Sequence, residues 1–280
     1  MVKICLVILA AGISSRYGGF PKQLVKIGPK NETLIEYSVD QALHSPFSQI
    51  HFIISEKTKF IQTIFGKNYH EIPVTYSMQT FDKNTQSSTN SRQSLVRKKP
   101  WGTTDAITTI KGHVTTPFIV CNGDDIYGEL TFKDCFNCME KLGGNITMGF
   151  WLGDTMPRMG KVNRGVMHID PHGFMEDLTE KIGIEKRNLS SIVLENTITS
   201  VNFFGFQPDV IDMLVQKNNK FKTKHKDNQT IEHLMPTTVN ELVQENKIKV
   251  RILMSRDKWY GITNPGDEIV VRNQLKSRIF

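Results

Sequence analysis

The sequence predicts an α/β fold: a mixed, mostly parallel sheet flanked by helices, continued by an antiparallel extension. Three observations carry the prediction. The stretches "KICLVILA" and "PFIVCN" are apolar without alternation, as in strands covered on both faces. Short apolar runs alternate with helical patterns through the first half, the rhythm of a parallel sheet with right-handed crossovers. In the second half, strand-like segments follow one another with only turns between several of them, which calls for antiparallel pairing.

Taken in order, "KICLVILA" is the first strand, and "TLIEYSVDQALHS" is a helix with Leu34, Ile35, Val39, Ala42 and Leu43 at helical spacing and Thr33 as N-cap. "QIHFIIS" is a strand, "KTKFIQTIFG" a short helix and "VTYSM" a third strand. "TTDAITTIKGH" gives a helix and "PFIVCN" a fourth strand. "NITMGFWL", "GVMHID", "GFMEDLTEK" and "ITSVNFFGF" read as strands, the last as one continuous strand. "IEHLMPTTVNELVQEN" reads as a helix, and a final strand, "KIKVRILMS", precedes "WYGI" and a closing helix "NPGDEIVVRNQLKS". No internal repeat and no separating linker occurs, so one domain over 1–280 is expected, with subregions 1–130 and 131–280.

With 39% hydrophobic and 22% charged residues, the 280-residue chain has the composition of a folded globule. Its longest apolar run, Ile4 to Ala11, is too short to span a bilayer and lacks a secretory cleavage pattern. A cytoplasmic protein without membrane association is expected. Cys135 and Cys138 form a CxxC with no second ligand pair, and their spacing suits one helix face, so reduced structural cysteines are expected rather than zinc ligands. His168 and His172 straddle a proline and are not taken as ligands. The net charge of +7 suits small polyanions. Part of it lies in "QKNNKFKTKHKDNQ", residues 216–229, read as a solvated loop without the interleaved aromatics of a nucleic-acid surface.

The most informative segment is "LAAGISSRYGGFPKQ", Leu9 to Gln23, directly after the first strand. Gly12, Gly18 and Gly19 let the backbone turn and approach a ligand closely. Ser14, Ser15 and backbone N–H groups can donate to phosphate oxygens. Arg16 offers a planar fork and Lys22 a point charge. At the carboxyl end of a parallel strand these groups suit a nucleoside triphosphate. The spacing fits neither GxxxxGK[ST] nor GxGxxG.

"LAAGISSRYGGFPKQLVKIG" resembles the signature of nucleotidyltransferases that activate sugar phosphates, LAAGxGxRxxxxxxxPKxL. The resemblance implies a Rossmann-like, glycosyltransferase-A-like fold. Nucleotide contacts would come from Leu9, Ala10, Ala11, Gly12, Ser14 and Ser15, with Arg16 gripping the triphosphate and Lys22 stabilising the reacting α-phosphate. "KPWGTTDAI" resembles the family's glycine-led helix start, with Gly102 reading the base between Trp101 and Thr103, and Gln79 matches a glutamine used for the base. "FIVCNGDDIYG" puts Asp124 and Asp125 beyond an apolar strand, where Mg²⁺ can take one or two carboxylates plus phosphate oxygens. Alignment with the family's metal motif makes Asp124 the direct ligand. "GVMHIDPHGFMEDLTEK" is similar to the sugar-side hairpin, with Glu180 and Lys181 as sugar-phosphate contacts, joined by Asn202 of "SVNFFGFQP" and by Asp125.

One motif departs from the family. Many relatives carry a second metal-binding aspartate after a tryptophan near the C-terminus, where "WYGITNPGD" has Gly261. Asp125 or Asp267 substitutes, or the contact is absent. The reaction implied is attack by a sugar 1-phosphate on the α-phosphorus of a nucleoside triphosphate, with Arg16, Lys22 and Asp124 catalytic. The expected partners are those two substrates and Mg²⁺, with a homo-oligomer compatible and neither nucleic acid nor membrane involved. A non-sugar phosphate acceptor of a cytidylyltransferase, or a non-catalytic nucleotide-sugar sensor, are the alternatives.

Overall fold

The computed structural model describes residues 2–12, 20–80, 97–157, 160–262 and 266–276. Strand β1 (Cys5–Leu9) lies at the centre of a parallel group. It pairs with β2 (Gln49–Ile54) on one side and with β5 (Phe118–Asn122) on the other. Beyond β2 come β4 (Ile72–Met78), parallel to it, and the short antiparallel β3 (Asn68–Tyr69) at the edge. Burial follows the sequence pattern. Ile4, Leu6 and Ile8 enter one core cluster and Cys5 and Val7 another, so both faces of β1 are covered. Each fully buried aliphatic side chain of this kind contributes roughly 1.5–3 kcal/mol.

The helices of this half start where local chemistry starts them. In α1 (Leu34–Ala42), Thr33 Oγ1 accepts from Glu36 N while Glu36 returns a bond to Thr33 N, a complete capping box. Helix α2 (Ile61–Phe65) connects β2 to the outer edge. Helix α3 (Thr103–Thr108) begins at Gly102, whose φ of 101° a side chain would resist. After β5, the two-residue β6 (Asp125–Ile126) leads into α4 (Glu129–Leu142), which carries Cys135 and Cys138 as expected; all four cysteines are free thiols.

The second half extends the same sheet with antiparallel strands. β7 (Asn145–Trp151), β8 (Val162–Ile169) and β9 (Met175–Ile184) are followed by α5 (Ser191–Asn196), β10 (Ile198–Ser200) and β11 (Phe204–Phe206). The expected single strand "ITSVNFFGF" is two. Asn202 adopts a left-handed φ of 61°, which breaks the extended run. The chain there crosses β7: β10 pairs with β7 and β8, whereas β11 pairs with β7 and β5. Thus β11 joins the antiparallel extension to the parallel group, and the crossing brings Val201 and Asn202 to the centre of the molecule.

A second expectation is overturned. Most of 216–229, read as a solvated loop, belongs to α6 (Val210–Lys224). Its basic composition conceals an inward stripe: Val210, Ile211, Leu214 and Asn218 are buried. Helix α7 (Met235–Gln244), β12 (Val250–Met254) parallel to β7, β13 (Tyr260–Gly261) paired with β6, and α8 (Asp267–Lys276) complete the chain. Among the described residues no helix is long and apolar enough to cross a membrane.

Candidate active site

Two loops leave the carboxyl ends of adjacent parallel strands, the position at which doubly wound sheets bind ligands. Leu9 of β1 and Asn122 of β5 are paired in register, and Gly123 N donates to Leu9 O at 2.9 Å. From the first loop Lys22 returns over the strand ends; from the second Asp124 meets it, Nζ to Oδ2 at 2.6 Å. Lys22 Nζ also donates to Ile262 O at 2.9 Å, so three distant segments converge on one ammonium. The two side chains keep about a fifth and a quarter of their surface exposed, and the pair is reachable from solvent.

Asp125 behaves differently. It is buried, Asn122 Nδ2 donates to its Oδ2 at 2.8 Å, and the Tyr127 hydroxyl lies 3.3 Å from the same oxygen. Burial, and then the neighbouring Asp124, push its pKa up to about 7 despite the opposing charge of Lys22. Two adjoining carboxyls in one cleft are short of positive charge. They fit a hard divalent cation that draws its remaining ligands from phosphate oxygens and water. Among the described residues no group of three His, Cys, Asp or Glu side chains could enclose a metal ion without such help.

On the neighbouring side of the cleft the start of α3 is fixed from below. Gln79, at the end of β4, donates through Nε2 to Gly102 O at 3.0 Å and to Asp105 Oδ2 at 2.9 Å. Asp105 also accepts from Asn218 Nδ2 at 3.0 Å and pairs with Lys222, which ties α6 to this point. His233 closes against Gly102: its backbone N donates to Trp101 O at 2.6 Å and its O accepts from Thr104 N at 2.9 Å. Trp101 is buried beneath the Arg97 guanidinium, 3.4 Å from the ring centroid. Gln79 and Trp101 therefore hold the Gly102 backbone in place rather than standing open in the cleft.

Beyond Asp125 lies a cavity of about 150 Å³. Glu180 of β9 and Asn202 of the crossing line it with Asn122, Arg164, Thr103 and Trp259. Burial raises the Glu180 pKa against the pull of Arg164. Lys181, expected beside Glu180, is exposed and is not among the cavity-lining residues.

Residues 6–265 match the family described as nucleotidyl transferase. The chain belongs to that family. Among solved structures, the UDP-glucose pyrophosphorylase complexed with UDP-glucose is similar with a TM-score of 0.68 at 16% identity, covering 99% of this chain and 100% of that one. The inositol-1-phosphate CTP transferase from T. maritima gives 0.66 at 12% identity, covering 99% and 97%. A UTP-bound UGPase from Acinetobacter baumannii gives 0.66 at 13%, covering 98% and 93%. No curated protein matches the sequence. The mixed sheet and its flanking helices are thus the glycosyltransferase-A-like fold of nucleotidyltransferases.

In this nucleotidyl transferase, Ser14, Ser15 and Arg16 lie outside the described residues. Ala10 and Ala11 are buried, Leu9 ends β1, and Gly12 is exposed. Thr103 lines the cavity and its Oγ1 accepts from Met235 N at 2.8 Å. Asp267 opens α8 and is not among the cavity-lining residues. Gly261 pairs directly with Asp125, and a Cβ there would lie 2.1 Å from Trp259 Cη2. The indole therefore takes the space in which the family's second carboxylate would begin. Sequence reasoning missed Asn122, Arg164 and the placement of Trp259. Asn122 was within reach, since it precedes the acidic pair at a strand end; nothing local marks Arg164.

Proposed function

We propose that the chain transfers a nucleoside monophosphate from a nucleoside triphosphate to a sugar 1-phosphate, releasing pyrophosphate, with Mg²⁺ as cofactor. The observation that carries this reading is the 2.6 Å pair of Lys22 and Asp124, from two loops at the carboxyl ends of adjacent parallel strands. A pure binding module has no use for a partly accessible lysine and carboxylate held against each other where the phosphates of a nucleotide would lie.

In the proposed reaction an acceptor phosphate oxygen forms a bond to the α-phosphorus, and the bond from that phosphorus to the bridging oxygen of pyrophosphate breaks. The attacking oxygen is already anionic, so no side chain need remove a proton; positioning and charge stabilisation suffice. Lys22 meets charge at the reacting phosphoryl group, and Arg16 holds the departing pyrophosphate. Asp124, with Asp125 behind it, would hold Mg²⁺, which when bound neutralises phosphate charge. The Gly102 backbone, fixed by Gln79 and flanked by Trp101 and Thr103, faces the base, and Leu9 to Gly12 with Ser14 and Ser15 border the phosphates. Glu180 and Asn202 accept from or donate to acceptor hydroxyls.

We read 1–130 as the nucleotide side and 131–280 as the acceptor side of one domain. A cyclic polyol phosphate is the second acceptor class, favoured by the similarity to an inositol-1-phosphate CTP transferase. The test is a matrix of nucleoside triphosphates against sugar 1-phosphates and inositol 1-phosphate with Mg²⁺, read by pyrophosphate release. Release with a sugar 1-phosphate supports the proposal, and release only with the inositol phosphate moves the assignment to the second class. A blank matrix with nucleotide-sugar binding retained would overturn it in favour of a sensor.

A further inference from the structure

Four buried side-chain nitrogen or oxygen atoms have no hydrogen-bond partner among the described residues: Gln41 Oε1, Arg164 Nε, Asn202 Oδ1 and Trp259 Nε1. Three of these four belong to residues lining the one cavity beyond Asp125. An unsatisfied buried polar atom costs about 1–3 kcal/mol, so a convergence of three in one hollow points to a ligand that completes them. The set is chemically specific. Arg164 Nε and Trp259 Nε1 can only donate, and Asn202 Oδ1 can only accept.

The charge points the same way. Arg164 is the cation among the described residues that line the cavity, and no described carboxylate forms an ion pair with it. Its Nη1 donates to Asn163 O at 2.8 Å and one Nη2 hydrogen goes to Thr155 O, which fixes the guanidinium in place. The guanidinium carbon sits 4.9 Å from the centroid of the Trp259 ring. Two features deliver this pairing. A register shift between Val162 and Arg164 gives β9 an extra residue against β8. The absence of a side chain at Gly261 leaves room for the indole, whose Cη2 would lie 2.1 Å from a Cβ there. Asp125 and Glu180 act on the guanidinium through space without a direct ion pair: Asp125 Oδ2 is engaged by Asn122, and Arg164 Nε is left without a partner.

We propose that Arg164, lying against Trp259, takes the phosphate of the acceptor, with Nε and the indole N–H donating to phosphate oxygens and Asn202 Oδ1 accepting from an acceptor hydroxyl. The acceptor class is then a phosphate monoester that carries at least one hydroxyl near the phosphate, and Lys181 is dispensable for the grip. This assignment deepens the reading above and rests on it for the identity of the cavity as the acceptor side.

The experiment titrates inorganic phosphate, and separately glucose 1-phosphate, into the full chain while following indole fluorescence, in wild type, R164Q, R164K, K181Q and W259F. Equal thermal melting temperatures establish that a variant is folded. Loss of the guanidinium charge and of its Nε bond is expected to weaken phosphate binding by roughly tenfold in R164Q, with partial recovery in R164K and loss of the fluorescence response in W259F. Phosphate binding that survives R164Q, or is lost in K181Q instead, overturns the proposal. Should wild type show no saturable phosphate response, the proposal also fails. The two readings fail separately. A blank pyrophosphate-release matrix refutes the transfer reaction while leaving the Arg164 titration to stand, and an R164Q protein that still binds phosphate refutes the grip without touching turnover.

Discussion

Gly261→Ala is expected to destabilise the chain through a single neighbour. The added Cβ would stand 2.1 Å from Trp259 Cη2 and 2.4 Å from Cζ2, closer than any relaxed carbon contact. The backbone at Gly261 is not left-handed, so alanine adds no conformational strain and the whole effect is steric. Overpacking of this size costs about 1–3 kcal/mol. For a chain of this length that lowers Tm by roughly 2–12 °C, at about 2–4 °C per kcal/mol. Because the clash has one partner, it should disappear when that partner is removed. In a Trp259→Ala background, Gly261→Ala should be close to neutral, giving a coupling energy of about 1–3 kcal/mol in a double-mutant cycle measured by urea unfolding. If alanine at 261 costs the same with and without the indole, the ring does not fill that space. The departure of "WYGITNPGD" from the family's aspartate would then need another cause. The same logic predicts that Gly261→Asp cannot restore a second metal carboxylate unless Trp259 is replaced as well.

Three further outcomes are expected. Lys22→Ala removes the cation bridging Asp124 and Ile262 O and should lower turnover about 10²- to 10³-fold, read by steady-state pyrophosphate release; a change within a few fold would remove Lys22 from the chemistry. Gly102→Ala forces a side chain into a φ of 101° and to 2.5 Å from His233 O, whose position is locked by bonds to Trp101 and Thr104. A loss of about 2–5 kcal/mol in chemical unfolding is expected, and an unchanged midpoint would refute the close approach. His51 is fully buried between Thr75 and Ser77, and burial, then His113, lowers its pKa to about 4. The unfolded histidine binds a proton below about 6.5 and the folded one does not, so stability is intact above that pH and falls as pH drops toward 4. At pH 5 the loss is about 2 kcal/mol, and His51→Asn should flatten the pH dependence of the unfolding free energy between 7 and 5, measured by urea titration, by about that amount.

What the sequence by itself determined is local or periodic. The unbroken apolar runs of β1 and β5 required cover on both faces, and the two core clusters supply it. Thr33 and Glu36 define a helix start within four residues, and the loops after two buried strands had to emerge at the same end of a parallel sheet. Lys22 and Asp124 were therefore legible as one site before their 2.6 Å contact was seen. Local pattern failed where composition concealed it, as with the inward stripe of α6 beneath its lysines. It failed again where one residue breaks a run, as with left-handed Asn202 in "ITSVNFFGF". Only the tertiary structure could decide the acceptor side. Arg164, Asn202 and Trp259 come from a register shift, a strand crossing and a glycine-backed turn, separated by tens of residues. Their meeting depends on how the strands pair across the sheet, and strand pairing is set by long-range packing that no short window of sequence records.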